Sequence, residues 1–433
     1  MSASHPLESF KAPSTRNDGL ARLISVIKFD RSLLLTVLAA GLVAALFAIV
    51  LWRITGEHGD ANSYAMLADA FLHGRLDVAR CFDVDCAHHA GKAWVVFPPA
   101  PALAALPFVA IFGTTFGHFI LLTTLFTGLT LWLWWRIFRA FELERVHAAW
   151  LLVAIAFATP LYYVTIRGDG IWFFAQVVGT LLLTLALHEA VQQRLLTAGI
   201  ALGLAFLSRQ MLLLYAPFLF VLALRPTEPL LALRKDYIRR FLELALPIAA
   251  AIVIYLVYND IRFGNPLDTG YGFIDAPPPE AGGSFISQRL GEIGLFSRKY
   301  VLFNTLYLFV QGFHIDFAGR YMTELGKIDN SGTSLLAASP FVLLAFFAPM
   351  RRSLVVGLMV AALIAGISLF YHSNGYSQHN VQRYTLDWLP VIFIALALGP
   401  VRQFAGPFRL LVIYALGLNA VAMALLAVIS RAA

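Results

Sequence analysis

The sequence predicts an all-α, polytopic integral membrane protein with about eleven transmembrane helices. Of its 433 residues, 59% are apolar and only 13% are charged, and a soluble fold of this size could not bury so many apolar side chains. The segments that connect the proposed spans on one side of the membrane carry an excess of Lys and Arg. The net charge of +7 therefore orients the protein, with these segments in the cytoplasm, and does not indicate nucleic-acid binding.

The first long apolar run, residues 33–52, is long enough to cross a bilayer as a helix. Residues 1–32 before it are polar and basic, and no small-residue cleavage site is evident. We therefore expect a cytoplasmic N-terminal segment over 1–32 and one transmembrane domain over 33–429. Two large external loops, at about 54–116 and 259–332, carry juxtamembrane helices in this prediction.

Alternation of apolar and polar stretches predicts the later spans at 117–138, 148–166, 171–188, 241–258, 333–349, 353–371, 385–399 and 410–429. Residues 99–112 begin at the second of two adjacent prolines and predict a short juxtamembrane or partly inserted helix. The stretch 197–224 is interrupted by Ser208-Arg209-Gln210, so we expect a hairpin of two short helices with Arg209 near the external side. The semi-apolar stretch 301–313 is expected to lie at the membrane interface.

The two cysteines, Cys81 and Cys86, both fall in the first external loop. In an oxidising compartment they could close a small disulfide loop, and two free thiols are the alternative. Two cysteines without a partnered CxxC or His pair are a poor zinc signal, so the sequence predicts no metal site here.

Polar residues gather at the external ends of the predicted spans, whereas the cytoplasmic loops carry only orienting cations. The external set comprises Asp60, Lys92, Asp169, Arg209, Arg262, His372, His379, Arg383 and Tyr384. No phosphate-binding GxxxxGK[ST] loop or GxGxxG turn is present, so nucleotide hydrolysis has no support. Any chemistry would therefore use a substrate from the membrane or the external solvent.

Cations at the rim of an external cavity suit a lipid-linked phosphate, because the Arg guanidinium matches phosphate oxygens. A nearby carboxylate could act as general base toward an attacking hydroxyl, and the cations could stabilise the leaving phosphate. These residue types fit glycosyl transfer from a polyprenyl-phosphate sugar. They fit phosphoryl transfer, lipid flipping and anion transport equally well.

Five stretches resemble GT-C glycosyltransferases, in the bacterial branch with the protein O-mannosyltransferases and the lipid A aminoarabinose transferases. They occur in family order over residues 35–400. They are Gly59-Asp60 with Tyr64, Ala68 and His73-Gly74-Arg75; Gly91 to Pro99; Leu207-Ser208-Arg209; Tyr258 to Pro266; and Gln382-Arg383-Tyr384 running into Asp387-Trp388-Leu389-Pro390.

This resemblance implies an external active site, a polyprenyl-phosphate sugar donor and inversion at the anomeric carbon. It implies that Asp60 is the catalytic base and that Asp169 matches a position where relatives often carry a second acid. The predicted substrate-binding residues are Lys92, Arg209, Arg383, Tyr384, Tyr64 and His379. The sequence departs from the pattern of the eukaryotic protein mannosyltransferases, since Gly59 stands where an Asp-Glu pair would begin.

Several of the candidate residues could also have a purely structural role. Asp169 lies in a Gly-Asp-Gly turn, which needs a turn former anyway. Arg383 could be an interfacial cation, and Arg262 is expected to cap a span. His372 and His379 could contact sugar or a metal, although histidines in a Gly/Ser/Asn loop are more often solvated.

The predicted function is transfer of a sugar from a polyprenyl-phosphate-linked donor to a lipid, glycan or protein acceptor. The predicted location is a bacterial inner membrane, with the active site facing the periplasm or exterior. No cofactor is required by the sequence, and a divalent cation is the one candidate, since dispersed carboxylates make a weak site. The alternatives are a transporter or flippase of lipid-linked sugars and an inactive scaffold that keeps the fold.

Overall fold

The computed structural model of the protein describes residues 41, 62–82, 85–225, 227–230, 232–274, 284–329, 331–375 and 382–432, with side chains to residue 425. The chain divides into two units, Met1–Leu46 and Phe47–Ala433. Gly41 alone of the first unit is among the described residues, and the helices and strands named below belong to the second unit. The predicted cytoplasmic segment 1–32 lies outside the described residues, as does the predicted span 33–52 apart from Gly41.

The described part of the second unit consists mainly of helices. The first eight are α1 Ser63–Leu72, α2 Ala100–Phe112, α3 Phe119–Ala140, α4 Arg145–Phe157, α5 Leu161–Ile166, α6 Ile171–Val191, α7 Leu195–Phe206 and, after a 3₁₀ helix at Gln210–Tyr215, α8 Ala216–Ala223. The others are α9 Lys235–Phe263, α10 Phe285–Glu292, α11 Val301–Thr305, α12 Leu335–Ala338, α13 Arg352–Phe370, α14 Leu389–Ala397, α15 Pro400–Gln403 and α16 Ala405–Ala432. Further short turns of 3₁₀ or π helix lie at Tyr271–Phe273, Arg298–Tyr300, Leu306–Val310, Pro340–Phe347 and Arg383–Asp387.

Five of the described helices, α3, α6, α9, α13 and α16, are long and apolar enough to cross a membrane. In α6, 78% of the residues in the most apolar window are buried, against 28% to 39% in the other four. Helix α6 is therefore the central helix, and the other four present more of their surface to the surroundings. The total of about eleven crossings stays a prediction.

Small residues let α7 pack directly against α9. A Cβ atom at Gly199 would lie 2.5 Å from the Leu244 carbonyl oxygen, and one at Gly203 would lie 3.0 Å from the Ala251 Cβ. Two glycines four residues apart lie on one helix face, so they allow close approach of the two backbones, as is typical of membrane helices.

The structure confirms the short helix predicted at 99–112, which is α2, and the hairpin predicted at 197–224, which is α7 followed by the 3₁₀ helix and α8. Three predicted spans are not continuous. The stretch 148–166 is divided between α4 and α5, 333–349 between α12 and a 3₁₀ helix, and 385–399 between a 3₁₀ helix and α14. A proline lies in or within two residues of each interruption (Pro160, Pro340 and Pro390), and a proline lacks the amide hydrogen that a helix interior uses.

The first loop is held in place by a hairpin, a disulfide and a buried arginine. Strands β1 Cys86–His89 and β2 Lys92–Val95 pair antiparallel, and Cys81 is bonded to Cys86. The Arg262 side chain, only 2% exposed, donates from Nη1 to the Val95 carbonyl (2.6 Å) and from Nη2 to Asn259 (2.8 Å). Arg262 therefore ties the end of β2 to α9. The second loop carries a separate hairpin, β3 Ile315–Ala318 with β4 Glu324–Ile328.

Candidate functional site

A cavity of about 270 Å³ lies where distant parts of the chain meet. Its wall includes Phe97 and Pro98 from the first loop, the start of α6, the break between α7 and the 3₁₀ helix, the end of α13 and the 3₁₀ helix at Arg383–Asp387. Three predicted substrate-binding residues, Arg209, Arg383 and Tyr384, line this cavity together. We call it the central cavity.

Arg209 extends into the central cavity because the hairpin is broken at this residue. The Arg209 backbone is extended, and the 3₁₀ helix begins at the next residue. Its guanidinium donates from Nε to Asp387 Oδ1 (2.8 Å) and from Nη2 to Asp387 Oδ2 (2.6 Å), which makes a bidentate ion pair. Asp387 also accepts a hydrogen bond from Gln176 Nε2 (2.9 Å), so the pair is anchored to α6. Asp387 lies in a motif that the sequence singled out, yet its role as the partner of Arg209 was missed.

Arg383 is the second cation of the central cavity, and it is 8% exposed. Its guanidinium carbon lies 5.0 Å from the centre of the Tyr384 ring and 5.6 Å from that of Phe173. The Arg209 guanidinium carbon lies 5.1 Å from the same Tyr384 ring. Tyr384 therefore contacts both cations through its ring, where a cation is attracted by the aromatic face.

The charged groups among the described residues that line the central cavity are Arg209, Asp387 and Arg383. The first two form an ion pair with each other. The Arg383 guanidinium is largely buried, so its field on a bound anion is stronger than that of an exposed arginine.

Asp169 lies next to this group but does not line the central cavity. Its carboxylate accepts from Arg167 Nε (3.4 Å), and the Arg167 guanidinium carbon lies 5.7 Å from the centre of the Phe173 ring that Arg383 also contacts. The preceding Gly168 carbonyl accepts a hydrogen bond from Asn62 Nδ2 (3.4 Å). Asn62 also caps α1, because its Oδ1 accepts from the Tyr64 amide (3.0 Å).

The predicted base Asp60 and the predicted ligand His379 lie outside the described residues. Asp60 precedes Asn62 by two residues in the sequence. Their roles therefore stay predictions. The described end of the Asp60 motif, Asn62, lies against the Arg167–Asp169 turn.

Two further predicted ligands have other surroundings. Lys92 lies on β2, is half exposed and pairs with Asp77 at 3.1 Å, and it is not part of the central cavity wall. That hydrogen bond lowers the pKa of the Asp77 carboxyl. Tyr64 is fully buried in α1, with its ring 6.0 Å from that of Phe174. Neither Lys92 nor Tyr64 lines the central cavity.

An aromatic wall of the central cavity was missed by sequence reasoning. It is made by Trp172 at the start of α6, Tyr271 in the second loop and Tyr371 after α13. The Trp172 Nε1 donates to Asp85 Oδ2 in the first loop. Only the fold brings these residues together, since they come from four separate segments.

His372 is buried, contrary to the expectation that it is solvated. Its side chain is 5% exposed, and its ring lies against Tyr371 at 4.3 Å between centres. Burial, followed by the charge of Arg289, lowers the pKa of His372 to about 4, so the imidazole is neutral near pH 7.

Within the described residues, no group of three or more His, Cys, Asp or Glu side chains could hold a metal ion.

Comparison with known proteins gives likeness in structure alone. No family model and no curated protein sequence matches the chain. Among solved structures, the chain is similar to ArnT from Cupriavidus metallidurans bound to undecaprenyl phosphate (14% identity, TM-score 0.45, covering 82% of this chain and 59% of that one). The apo form of the same protein gives 14% identity and a TM-score of 0.46, covering 85% and 61%.

An oligosaccharyltransferase from Archaeoglobus fulgidus in the apo form is also similar, with 13% identity and a TM-score of 0.41, covering 90% of this chain and 56% of that one. ArnT is a lipid A aminoarabinose transferase, and both it and the oligosaccharyltransferase are GT-C glycosyltransferases. The chain spans about three fifths of the length of these structures.

Proposed function

We propose that this protein is a membrane glycosyltransferase that moves a sugar from a polyprenyl-phosphate-linked donor to a hydroxyl acceptor. The observation that carries the proposal is the convergence of two arginines, Arg209 and Arg383, on the wall of one cavity, with Arg383 largely buried there. A polyprenyl-phosphate sugar is a phosphodiester and carries one negative charge, so its phosphate suits a cavity lined by guanidinium groups. The polyprenyl chain would stay in the bilayer.

In the proposed reaction, the acceptor hydroxyl oxygen bonds to the anomeric carbon while the bond from that carbon to the phosphate oxygen breaks. The electron pair of the broken bond goes to polyprenyl phosphate, and the hydroxyl proton goes to Asp60 as general base. Attack opposite the leaving group inverts the anomeric centre. The leaving phosphate gains negative charge as the bond breaks, so Arg383 would stabilise the transition state more than the bound donor.

Asp169 has a proposed supporting role near the base. Its Arg167 partner and Arg383 both lie against the Phe173 ring, and Asn62 of the Asp60 motif contacts the same turn. These contacts support the proposal that the motif of Asp60 and the phosphate-binding cation serve one site. A sugar placed between them would be approached by the acceptor from the side of the carboxylates.

The test is mass spectrometry of surface glycolipids and glycoproteins from cells that lack the gene. Complementation with the wild type should restore a missing sugar, whereas Asp60→Asn and Arg383→Gln at equal expression should not. Arg320→Gln, which changes an exposed arginine of the second loop, is the matched control and should restore the sugar. Full restoration by both site variants would overturn the proposal, and restoration by Asp60→Asn alone would remove Asp60 as base.

A transporter or flippase of lipid-linked sugars is the second candidate, and one observation favours it. Arg209 lies at the break of the α7–α8 hairpin, and transporters often bind substrates at discontinuous helices. Proteoliposomes loaded with fluorescent polyprenyl-phosphate sugar separate the two functions. An enzyme forms a new glycosidic bond that depends on Asp60, whereas a flippase moves the intact lipid between leaflets without product.

A further inference from the structure

Trp172 forms one side of the central cavity and is anchored by a carboxylate behind it. Its indole Nε1 donates to Asp85 Oδ2. Asp85 is not among the residues that line the cavity, so it acts on the cavity through the indole. The anchor fixes the plane of the ring, because an indole with its single donor engaged cannot rotate without losing that bond.

The loop that carries Asp85 is itself fixed on both sides. Cys86, the next residue, is bonded to Cys81, and the Phe82 amide donates to Ser63 Oγ at the start of α1 (3.0 Å). On the other side, Ala87 pairs in a β-bridge with Ile274. The position of Asp85 is therefore set by α1 and by the segment that contains Tyr271, rather than by a single flexible loop.

Two tyrosines complete the aromatic wall. Tyr271 and Tyr371 both line the central cavity, and their hydroxyl oxygens are 3.5 Å apart. Burial raises the pKa of Tyr271 above its usual value, and the nearby charge of Asp85 adds to the rise. The Tyr271 hydroxyl therefore stays protonated at neutral pH and can donate a hydrogen bond.

We propose that Trp172, Tyr271 and Tyr371 form a subsite for the donor sugar ring, and that Asp85 is a positioning residue that holds Trp172 in place for it. The inference rests on the proposed function, since it assigns the sugar of the same lipid-linked donor. Aromatic faces bind the apolar C–H face of a pyranose, and tyrosine hydroxyls bind its hydroxyl groups. The cavity volume of about 270 Å³ suits one sugar ring with its phosphate.

The subsite lies in the same cavity as Arg383, which gives the two ends of the donor separate partners. Arg383 would bind the phosphate that every polyprenyl-phosphate lipid carries, whereas the aromatic wall would bind only lipids that carry a sugar. Loss of the wall should therefore reduce the preference for glycosylated over bare lipid and leave the affinity for bare lipid unchanged.

The test measures dissociation constants of the full-length protein in nanodiscs for undecaprenyl phosphate and for the same lipid carrying a hexose, an N-acetylhexosamine or a pentose. In Asp85→Leu, which lacks an acceptor for the indole, the preference for the best glycosylated lipid should fall at least 10-fold. Asp85→Asn keeps an acceptor oxygen and should retain most of the preference, as a positioning role requires. Asp316→Leu, which removes an exposed carboxylate of the second loop, is the matched control.

Thermal unfolding verifies that each variant is folded, and Trp172→Phe, which keeps a ring but lacks the donor, carries the test if Asp85→Leu does not fold. An unchanged preference in Asp85→Leu and Trp172→Phe would overturn the subsite. Equal wild-type affinity for bare and glycosylated lipids would also overturn it, while leaving the phosphate site intact. No wild-type binding of any of these lipids would contradict the proposed function itself.

Discussion

Replacing Asp387 by Ala should both destabilise the protein and increase its affinity for a bare lipid phosphate. Asp387 is 2% exposed and accepts three hydrogen bonds, two from Arg209 and one from Gln176. Removal of one partner from a buried ion pair costs about 3–5 kcal/mol, because the other charge stays buried without compensation. The Arg209 side chain is 16% exposed, so we expect the lower end of this range.

Asp387→Asn separates charge from hydrogen bonding. An amide oxygen in the place of Oδ1 can still accept the hydrogen bonds from Gln176 and from Arg209 Nε, so this variant should lose roughly half as much stability as Asp387→Ala, since charge-assisted bonds are worth about twice neutral ones. In both variants the net charge of the central cavity wall rises by one positive unit. A bare polyprenyl phosphate, which carries up to two negative charges at neutral pH, should then bind more tightly.

The assays are thermal and chemical unfolding of the purified protein and titration with undecaprenyl phosphate in nanodiscs. A double-mutant cycle with Arg209→Met isolates the coupling of the pair, which should be about 2 kcal/mol or more. Destabilisation of Asp387→Ala by less than about 1 kcal/mol, the usual range of an exposed pair, would refute the reasoning. Weaker lipid binding in Asp387→Asn would refute the charge argument.

Three further results are expected. Arg262→Ala should destabilise the first loop by about 3 kcal/mol or more, since it leaves the buried Val95 carbonyl and Asn259 without their donor and leaves a cavity, and limited proteolysis should cut that loop first. Substitution of Cys81 and Cys86 by Ser, or reduction of the wild type, should raise the KM for donor more than it lowers kcat. The reason is that Asp85, next to Cys86, would hold Trp172 less firmly without the disulfide, and an unchanged KM would contradict this. The pKa of His372 is lowered to about 4 from an ordinary 6.5, so the imidazole is harder to protonate in the folded state than in the unfolded state. The free energy of unfolding should therefore fall as pH drops from 6.5 towards about 4, by at most about 3 kcal/mol. His372→Asn should be less sensitive to pH over that interval when unfolding is followed by intrinsic fluorescence.

The sequence predicted the fold best where one strong local signal decides the structure. Paired prolines mark the start of α2. The polar residues Ser208-Arg209-Gln210 interrupt an apolar stretch, so a continuous span is not predicted there. The spans predicted across Pro160, Pro340 and Pro390 are wrong as continuous helices, because they are predicted from apolar composition and the missing amide hydrogen of proline is not considered. At Ser339, next to Pro340, the hydroxyl donates to the Ala158 carbonyl (2.6 Å), a contact that composition does not reveal.

The candidate site could be predicted only in part. Arg209, Arg383 and Tyr384 were found because charged and aromatic residues at the ends of apolar runs are conspicuous. The pairing of Arg209 with Asp387 joins residues 178 positions apart, and that of Trp172 with Asp85 joins residues 87 apart. Such contacts are set by how the helices pack, and no local pattern encodes them. Lys92 is also a cation near the end of an apolar run, but β2 places it beside Asp77.

The most direct test of the central claim is the dissociation constant of undecaprenyl phosphate for the wild type and for Arg383→Gln, measured side by side in nanodiscs. Loss of the buried cation should weaken binding roughly 10-fold to 100-fold, as expected for a charge-assisted hydrogen bond of about 1.5–3 kcal/mol. The control Arg320→Gln should bind like the wild type. Wild-type affinity in Arg383→Gln would contradict a lipid-phosphate site in the central cavity.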